Sequence, residues 1–318
     1  MTEKQREKDK ETFVEGALRE KIEILSVDLL TQHRPLVNEL KSLARSLNLD
    51  FGWHYLLDLT WIIYNLGAIQ GRRILDAGAG TGVIQWYLAE QGATVISVDR
   101  VSRADLPLRF RRRFRVSGYR TEDLLPTRQL IAAHYQKPSP LRAKVSSLAR
   151  DLTSLANTNL SSGQVMIYNQ DLTHLSKIDD NSIDAVIAVS ALEHNTPEAL
   201  GTVTIELKRV LKPGGILLAT LGAARYKDWY HEPSSGWCYN DASLRQAFGL
   251  TEDAPSNYDR YDELFTKLKD CTELRENLAR FYYQSGNNGM PWGQWDPQYQ
   301  PVGFFWEKLG IYDEYKPN

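Results

Sequence analysis

The fold is decided by the segment Ile74–Arg100, which has the sequence ILDAGAGTGVIQWYLAEQGATVISVDR. Its pattern predicts a strand over 73–75, a glycine loop through Gly82, a helix over 83–91 and a second strand over 93–99. Two strands joined by a helix form a βαβ unit. Such a unit requires a parallel sheet with a right-handed crossover.

Apolar runs downstream of this unit predict further strands of the same sheet. They lie at 165–169, 185–190 and 216–220, with an edge strand at 302–307 and a helix at 197–211. Strands that alternate with helices are typical of a doubly wound α/β sheet.

The segments outside this core predict the parts that specialise it. Apolar residues at helical spacing over 13–47, broken near Pro35, and again over 51–68 predict N-terminal helices. The predicted organisation is a helical cap or a homodimer face over 1–70, a main domain over 71–318, an insertion over 100–163 and a substrate or lid region over 222–301. We expect the acceptor pocket in these added segments, because loops specialise a common core.

Composition limits the class of protein. The 318 residues carry a formal net charge of -2 with pI near 6.3, which disfavours a surface built for DNA. Two cysteines, Cys238 and Cys271, cannot build a disulfide framework, and the charged start resembles no secretory signal. No apolar run reaches the length of a bilayer span. We therefore expect a cytoplasmic protein without a transmembrane segment.

The glycine loop predicts a ligand site at the end of the first strand. Gly78, Gly80 and Gly82 let the backbone pass close beneath a ligand, and Asp99 at the end of the next strand can accept two ribose hydroxyls. A dinucleotide fingerprint requires glycine or alanine where Val83 stands, so an NAD-dependent oxidoreductase is disfavoured. A tight turn without a ligand is the remaining alternative.

Four ordered motifs resemble the class I S-adenosylmethionine (SAM)-dependent methyltransferases. They are D-A-G-A-G-T-G at 76–82 with an acidic residue at 99, Q-D-L at 170–172, S-A-L-E-H at 190–194 and L-K-R-V-L-K-P-G-G at 207–215. The resemblance covers about residues 71–221 apart from the insertion. It implies a seven-stranded, Rossmann-like methyltransferase sheet, and the Ser-x-Leu-Glu-His motif is of the type that acts on small molecules, sugars or lipids.

The resemblance also implies a set of cofactor-binding residues, with SAM as the cofactor. The glycine loop would pass beneath the methionine part, Asp99 would bind the ribose, Asp171 the adenine amino group, and Ser190 would border the sulfonium. The full set is Asp76, Gly78, Ala79, Gly80, Gly82, Asp99, Arg100, Gln170, Asp171, Leu172 and Ser190. No metal is required by this chemistry.

The acceptor is predicted less sharply. His194 and His231 are the candidate general bases, with Glu232 or Asp228 as possible orienting groups for His231. The candidate substrate-binding residues are Arg109, Arg112 and Trp237. Guanidinium groups bind carboxylate and phosphate, so this set favours a polar or anionic acceptor.

We therefore predict O-methylation of a polar or anionic small molecule or glycan, at a sugar hydroxyl or a carboxylate. Two alternatives stay open: a non-catalytic SAM-binding or assembly protein, and an N-methyltransferase of a small molecule or RNA. The fourth strand lacks Asn/Asp-Pro-Pro-Tyr and the chain lacks a Pro-Cys dipeptide, which disfavours two classes of nucleobase methylation.

Overall fold

The computed structural model describes residues 19–136 and 161–310, without the side chains of 133–136. The strands are β1 (Glu20–Ile24), β2 (Arg73–Ala77), β3 (Thr94–Asp99), β4 (Arg115–Gly118), β5 (Gln164–Asn169), β6 (Ile183–Val189), β7 (Leu211–Ala223), β8 (Trp229–His231), β9 (Gly236–Tyr239) and β10 (Gln300–Glu307). The helices are α1 (Asp28–Gln32), α2 (Arg34–Leu47), α3 (Tyr55–Leu66), α4 (Ile84–Glu90), α5 (Leu108–Arg113), α6 (Thr127–Gln136), α7 (Pro197–Val210), α8 (Asp241–Phe248), α9 (Tyr261–Lys269) and α10 (Thr272–Glu276).

One mixed sheet runs through the described residues in the order β1-β10-β7-β6-β2-β3-β5-β4. The strands from β7 to β4 pair in parallel, whereas β10 and β1 pair antiparallel at one edge. Strand β9 also pairs with β7, and β8 pairs with β9. The sheet therefore has ten strands, and the prediction of seven is wrong. The N-terminal segment, the insertion and the lid region each add strands to the sheet, and the core motifs did not predict these strands.

The prediction of helix throughout Phe13–Leu47 is also wrong in part. Residues 20–24 form β1, in which the buried Ile22 and Ile24 alternate with the more exposed Lys21 and Glu23. This period of two suits a strand with one buried face. The predicted break near Pro35 is observed, because α1 ends at Gln32 and α2 begins at Arg34. Pro35 lies in the first turn of α2, where the missing backbone N–H of proline is not needed. The part of the segment before residue 19 lies outside the described residues.

The core predictions agree with the structure. The βαβ unit forms as β2, α4 and β3, with Ile74 paired to Val95 in a parallel register. The predicted helices at 51–68 and 197–211 appear as α3 and α7. The predicted turn at 212–215 lies where the pairing of β6 with β7 jumps from Leu211 to Ile216.

Helices cover both faces of the sheet. Val95 faces a hydrophobic cluster that includes α2, α3 and α4, whereas the next residue, Ile96, faces a second cluster that includes α7 and α8. Successive residues of a strand point to opposite faces, so a strand buried on both sides is apolar throughout. The observed layering is that of a doubly wound sheet.

The sheet order creates a crevice at the carboxyl ends of β2 and β6. The chain leaves β2 toward β3 on one side, and later returns to place β6 on the other side of β2. Ligands of open α/β sheets bind at this kind of switch point. Among the described residues, no helix has the length and apolar character needed to cross a membrane.

Candidate cofactor and acceptor site

A cavity of about 520 Å³ opens at this switch point. Its lining comes from residues 48–51, 55, 59, 76, 78–84, 99–101, 171–172, 189–191 and 194–195. This volume lies in the range of small-molecule and cofactor sites. The loops after β2, β3, β5 and β6 thus meet one segment of the N-terminal region around a single space.

The glycine loop is shaped by close approach as well as by backbone conformation. Gly78 has φ +73°, and a Cβ at this position would lie 2.5 Å from the Cβ of Ala191. Gly80 has φ +48°, in the left-handed region that glycine adopts most easily. A side chain at position 78 would therefore push the loop after β2 away from the loop after β6.

Asp99 ties β3 to the glycine loop. Its Oδ2 accepts a 2.8 Å hydrogen bond from the backbone N–H of Gly80, and its Oδ1 accepts one of 2.7 Å from Val101. Each carboxylate oxygen has a further lone pair that can accept from a ligand hydroxyl. The carboxylate lines the cavity, so its position suits the predicted ribose contact.

Asp76, at the end of β2, is a buried carboxylate with an unpaired oxygen. The residue is 1% exposed and its Oδ2 has no hydrogen-bond partner, yet it lines the cavity. Burial raises the pKa of Asp76 to about 7, against the lowering influence of Arg103. An unsatisfied buried carboxylate facing a ligand space favours a cationic ligand.

Three polar residues that sequence reasoning missed support the loop from below. The Gln85 amide donates to the carbonyl of Gly82 at 3.0 Å, and the Ser97 hydroxyl donates to Gln85 at 2.7 Å. Arg103 donates to Ser97 and, at 3.0 Å, to the carbonyl of Gly80. Two features of the sequence could have indicated these residues. One is a glutamine in the first turn of a buried helix, and the other is a serine inside an apolar strand.

The predicted adenine end is partly assembled. Asp171, Leu172 and Arg100 line the cavity. The Asp171 carboxylate accepts from the N–H and hydroxyl of Thr173, and these hydrogen bonds lower its pKa. Gln170 is not part of the lining, and its amide donates to the carbonyl of His174.

The loop after β6 brings the sulfonium-side candidates together. Ser190 has φ +45°, lines the cavity and donates its hydroxyl to the carboxylate of Glu193. Glu193 is buried, which raises its pKa, and its Oε2 is unpaired. Tyr55, from α3, also lines the cavity.

His194 is oriented for a defined protonation state. Its exposed side chain lines the cavity, and its Nδ1 lies 3.0 Å from the carbonyl oxygen of Ser235. A carbonyl only accepts, so Nδ1 carries the proton in the neutral imidazole. The Nε2 atom is then free of a proton and able to take one.

His231 lies apart from the cavity lining. It is buried against the ring of Tyr299, with 5.1 Å between centroids, and burial lowers its pKa. Its Nδ1 is 2.7 Å from the hydroxyl of Ser234. Asp228 was expected to orient His231, but its carboxylate accepts a hydrogen bond from Asn240 instead. The hydrogen-bond partner of His231 Nδ1 is the Ser234 hydroxyl.

The candidate substrate-binding residues also lie outside the lining of the cavity. Arg109 packs its guanidinium over the ring of Phe110, Arg112 is exposed, and Trp237 packs against Tyr230. Their role in acceptor binding stays a prediction.

Other arginines of the insertion have structural partners. Arg111 donates to three backbone carbonyls, including that of Leu106 at 2.9 Å. Arg113 pairs with Glu90, and Arg120 pairs with Asp123. These arginines therefore hold the insertion together and join it to α4.

The charges of the lining favour a cation. The lining contains four carboxylates, those of Asp50, Asp76, Asp99 and Asp171. Its other charged or basic side chains are Arg100 and His194. SAM carries a sulfonium and an ammonium group, so the donor set fits it. Among residues 19–136 and 161–310 no group of three or more metal-ligating side chains is present.

A comparison with protein families gives an independent result. Residues 136–219 match the family model described as a methyltransferase domain. The match contains the Ser190–His194 loop but begins after the glycine loop, so the two signals come from separate parts of the chain. Together with the switch-point cavity, this match supports a class I methyltransferase enzyme with SAM as its cofactor.

One curated relative is similar over a short stretch. The ubiquinone biosynthesis O-methyltransferase of Bordetella avium (strain 197N) is 40% identical over 48 residues. The match covers 15% of this chain and 20% of the relative. The chain therefore spans about a fifth of the length of the curated relative that it matches.

Comparison with solved structures finds matches at low identity. A putative sarcosine dimethylglycine methyltransferase from Galdieria sulphuraria is 16% identical with TM-score 0.39, covering 79% of this chain and 85% of the other. Geranyl diphosphate C-methyltransferase from Streptomyces coelicolor A3(2) is 14% identical with TM-score 0.40, covering 80% and 77%. The cyclase SpnF is 16% identical with TM-score 0.46, covering 92% and 100%.

Proposed function

We propose that this protein is a SAM-dependent methyltransferase that methylates an oxygen of a small molecule or glycan. The observation that carries the proposal is one cavity lined both by the glycine loop with Asp99 and by His194. This arrangement supports a cofactor site and a general base that share one space.

The residues of the cavity fit SAM by their chemistry. Asp99 would hold the ribose, Asp171 and Leu172 the adenine, and the unpaired oxygen of Asp76 would bind positive charge of the methionine part. When bound, SAM supplies a methyl group that its sulfonium has already activated. The protein then mainly has to align an acceptor and exclude water.

His194 would hold the proton that the acceptor hydroxyl releases. Its Nδ1 is fixed on the carbonyl of Ser235, so its Nε2 can accept. Phe51 and Tyr55 line the same cavity and would shield this end from water. His231 is the weaker candidate, since it is not part of the lining.

The acceptor is proposed to be polar but not strongly anionic. Sequence reasoning favoured an anionic acceptor because of Arg109 and Arg112, but neither residue lines the cavity. Among the described residues, the lining of the cavity contains four carboxylates, those of Asp50, Asp76, Asp99 and Asp171, and Arg100 as its arginine. A hydroxyl of a neutral molecule or sugar suits this lining better than a phosphate or carboxylate.

Two alternatives remain distinct from this proposal. A non-catalytic SAM-binding or assembly protein would bind SAM without turnover. An N-methyltransferase of a small molecule or RNA would use the same cofactor site with an amine acceptor.

Calorimetry with SAM tests the cofactor part of the proposal first. Binding in the micromolar to millimolar range is expected, and no binding would overturn it. Incubation with isotope-labelled SAM and extract fractions of glycans, lipids and small molecules then tests turnover. Mass spectrometry should show a product with one added methyl group. The labelled methyl group should be bound to oxygen, as a methyl ether or a methyl ester. Label only on nitrogen would favour the N-methyltransferase, and SAM binding without label in any fraction would favour the non-catalytic protein.

A further inference from the structure

A buried polar network beneath the glycine loop performs a task that the motifs do not describe. Arg103 is 5% exposed although it belongs to an arginine-rich insertion. It donates to the carbonyl of Gly80 at 3.0 Å and to the carbonyl of Ser97 at 2.6 Å, and it also donates to the hydroxyl of Ser97. A buried guanidinium needs such acceptors, and here they come from the loop and from β3.

The strand register places this guanidinium beside Asp76. In the parallel pairing of β2 with β3, Asp76 is the partner of Ser97, the residue that holds Arg103. No hydrogen bond joins Arg103 to Asp76, a lining residue of the cavity whose Oδ2 is unpaired. The charge of Arg103 therefore acts on Asp76 through space and leaves its oxygen available for a ligand.

We propose that Arg103 is a positioning residue for the cofactor. From beneath the loop it fixes the Gly80 carbonyl and favours the ionised form of the Asp76 carboxylate, so that this carboxylate can bind a positive charge of SAM. The inference rests on the proposed function.

The charges around Asp76 predict how its ionisation changes when Arg103 is removed. Burial raises the pKa of Asp76 to about 7, Arg103 lowers it, and the neighbouring Asp99 raises it. Arg103 in turn faces Asp99, Asp76 and Asp123. Loss of the guanidinium should shift the ionisation of Asp76 to higher pH, on the order of one unit for a nearby opposite charge.

The test is SAM affinity measured by calorimetry between about pH 5.5 and 8.5, a window that brackets the ionisation of Asp76. Wild-type affinity should fall as Asp76 gains a proton at the acidic end. Arg103→Met should move this fall to higher pH and weaken binding at neutral pH by about tenfold, one pKa unit. Arg103→Lys keeps a positive charge and should restore much of the wild-type profile.

Two further variants keep the test decisive. Asp76→Asn should bind SAM weakly and without the acidic fall, so any remaining pH dependence belongs to the ligand amine, which titrates near 7.7–8.0. Arg111→Met is the matched control, because Arg111 also holds backbone carbonyls of the insertion, such as that of Leu106, but does not contact the glycine loop. It should leave both affinity and profile unchanged.

The outcomes separate the inference from the proposed function. Absence of SAM binding by the wild type overturns the proposed function and this inference with it. Wild-type binding with identical pH profiles for wild type, Arg103→Met and Asp76→Asn overturns the inference alone. If Arg103→Met does not fold, Arg103→Lys and Asp76→Asn still decide, because an Asp76→Asn variant that keeps full affinity and the acidic fall contradicts the role of Asp76.

Discussion

The backbone N–H of Gly80 donates a 2.8 Å hydrogen bond to the carboxylate of Asp99, which ties the loop after β2 to the end of β3. The same carboxylate lines the cavity. A single side chain thus shapes the cofactor loop and presents acceptor atoms to the ligand. This double use makes Asp99 the most direct place to test the site.

Asp99→Ala should weaken SAM binding by about 1.5–3 kcal/mol, because it removes charge-assisted hydrogen bonds to the ribose and the anchor of Gly80. Asp99→Asn keeps an oxygen that can accept from Gly80, so it should lose less. Calorimetry measures both values. Asp179→Ala, an exposed carboxylate in the turn before β6, is the control and should not change affinity. Equal affinity of wild type and Asp99→Ala would show that the ribose binds elsewhere.

Gly78→Ala should destabilise the protein and impair SAM binding. The left-handed backbone costs a non-glycine residue about 1–2 kcal/mol, and the new Cβ would lie 2.5 Å from the Cβ of Ala191. Gly201→Ala is the matched control, since nothing lies within 4 Å of a Cβ there. In the middle of α7 it should stabilise by about 0.5–1 kcal/mol. Urea unfolding measures both, and a neutral Gly78→Ala would contradict the close approach of the two loops.

Asp76→Asn should stabilise the ligand-free protein at alkaline pH. Burial raises the pKa of Asp76 from 3.8 to about 7, so the folded state binds more protons than the unfolded state between these values. Stability from this group is therefore greatest at low pH and falls as the pH rises to about 7. The gain from Asp76→Asn should be ~2–4 kcal/mol at pH 8 and vanish near pH 4. Unfolding curves between these pH values measure the gain in the free energy of unfolding. A gain that increases as the pH falls would contradict the prediction.

His194→Ala should lower kcat by about 10²–10⁴ once an acceptor is known, with SAM affinity nearly unchanged. The reason is that Nε2 of His194 is the proposed proton acceptor at the cavity. His174→Ala, an exposed histidine outside the lining, is the control and should leave kcat unchanged. A full rate for His194→Ala over the whole pH range would exclude it as the base.

The buried pair of His54 and Asp58 should be a large contributor to stability. Their side chains lie 2.6 Å apart at 2% and 0% exposure. Asp58→Leu alone leaves a buried histidine without its partner and should cost about 3–5 kcal/mol. Combining it with His54→Phe should recover part of this loss in urea unfolding. Strictly additive losses would show that the two side chains do not depend on each other.

Local patterns predicted the core of the fold because each pattern carries its own physical cause. Glycines at 78, 80 and 82 after a short apolar strand require a tight turn, and the helix and strand that follow complete a βαβ unit. Strand β1 was missed, because Ile22 and Ile24 also fit a helical spacing and the pairing that decides between the two lies about 280 residues away in β10.

In the candidate site, too, some residues were predictable from local motifs and others depend on tertiary packing. The loop residues that the motifs named lie around one cavity, because the parallel register brings the ends of β2, β3 and β6 together. Arg109 and Arg112 do not join them, since their side chains leave the insertion in directions that sequence spacing cannot give. Arg103 lies in the same insertion, and its partners, Gly80 and Ser97, are brought to it only by the packing of the insertion against the sheet.

By itself, the sequence determined a parallel α/β core, a glycine loop that excludes a dinucleotide at Val83, and an ordered series of methyltransferase-like motifs. These features are local, so their hydrogen bonds and backbone angles follow from neighbouring residues. The tertiary structure alone decided that the sheet has ten strands, that His194 and not His231 reaches the cavity, and that Asp76 is buried above Arg103. Those features depend on which distant segments exclude water from one another, and such burial is a property of the packed chain.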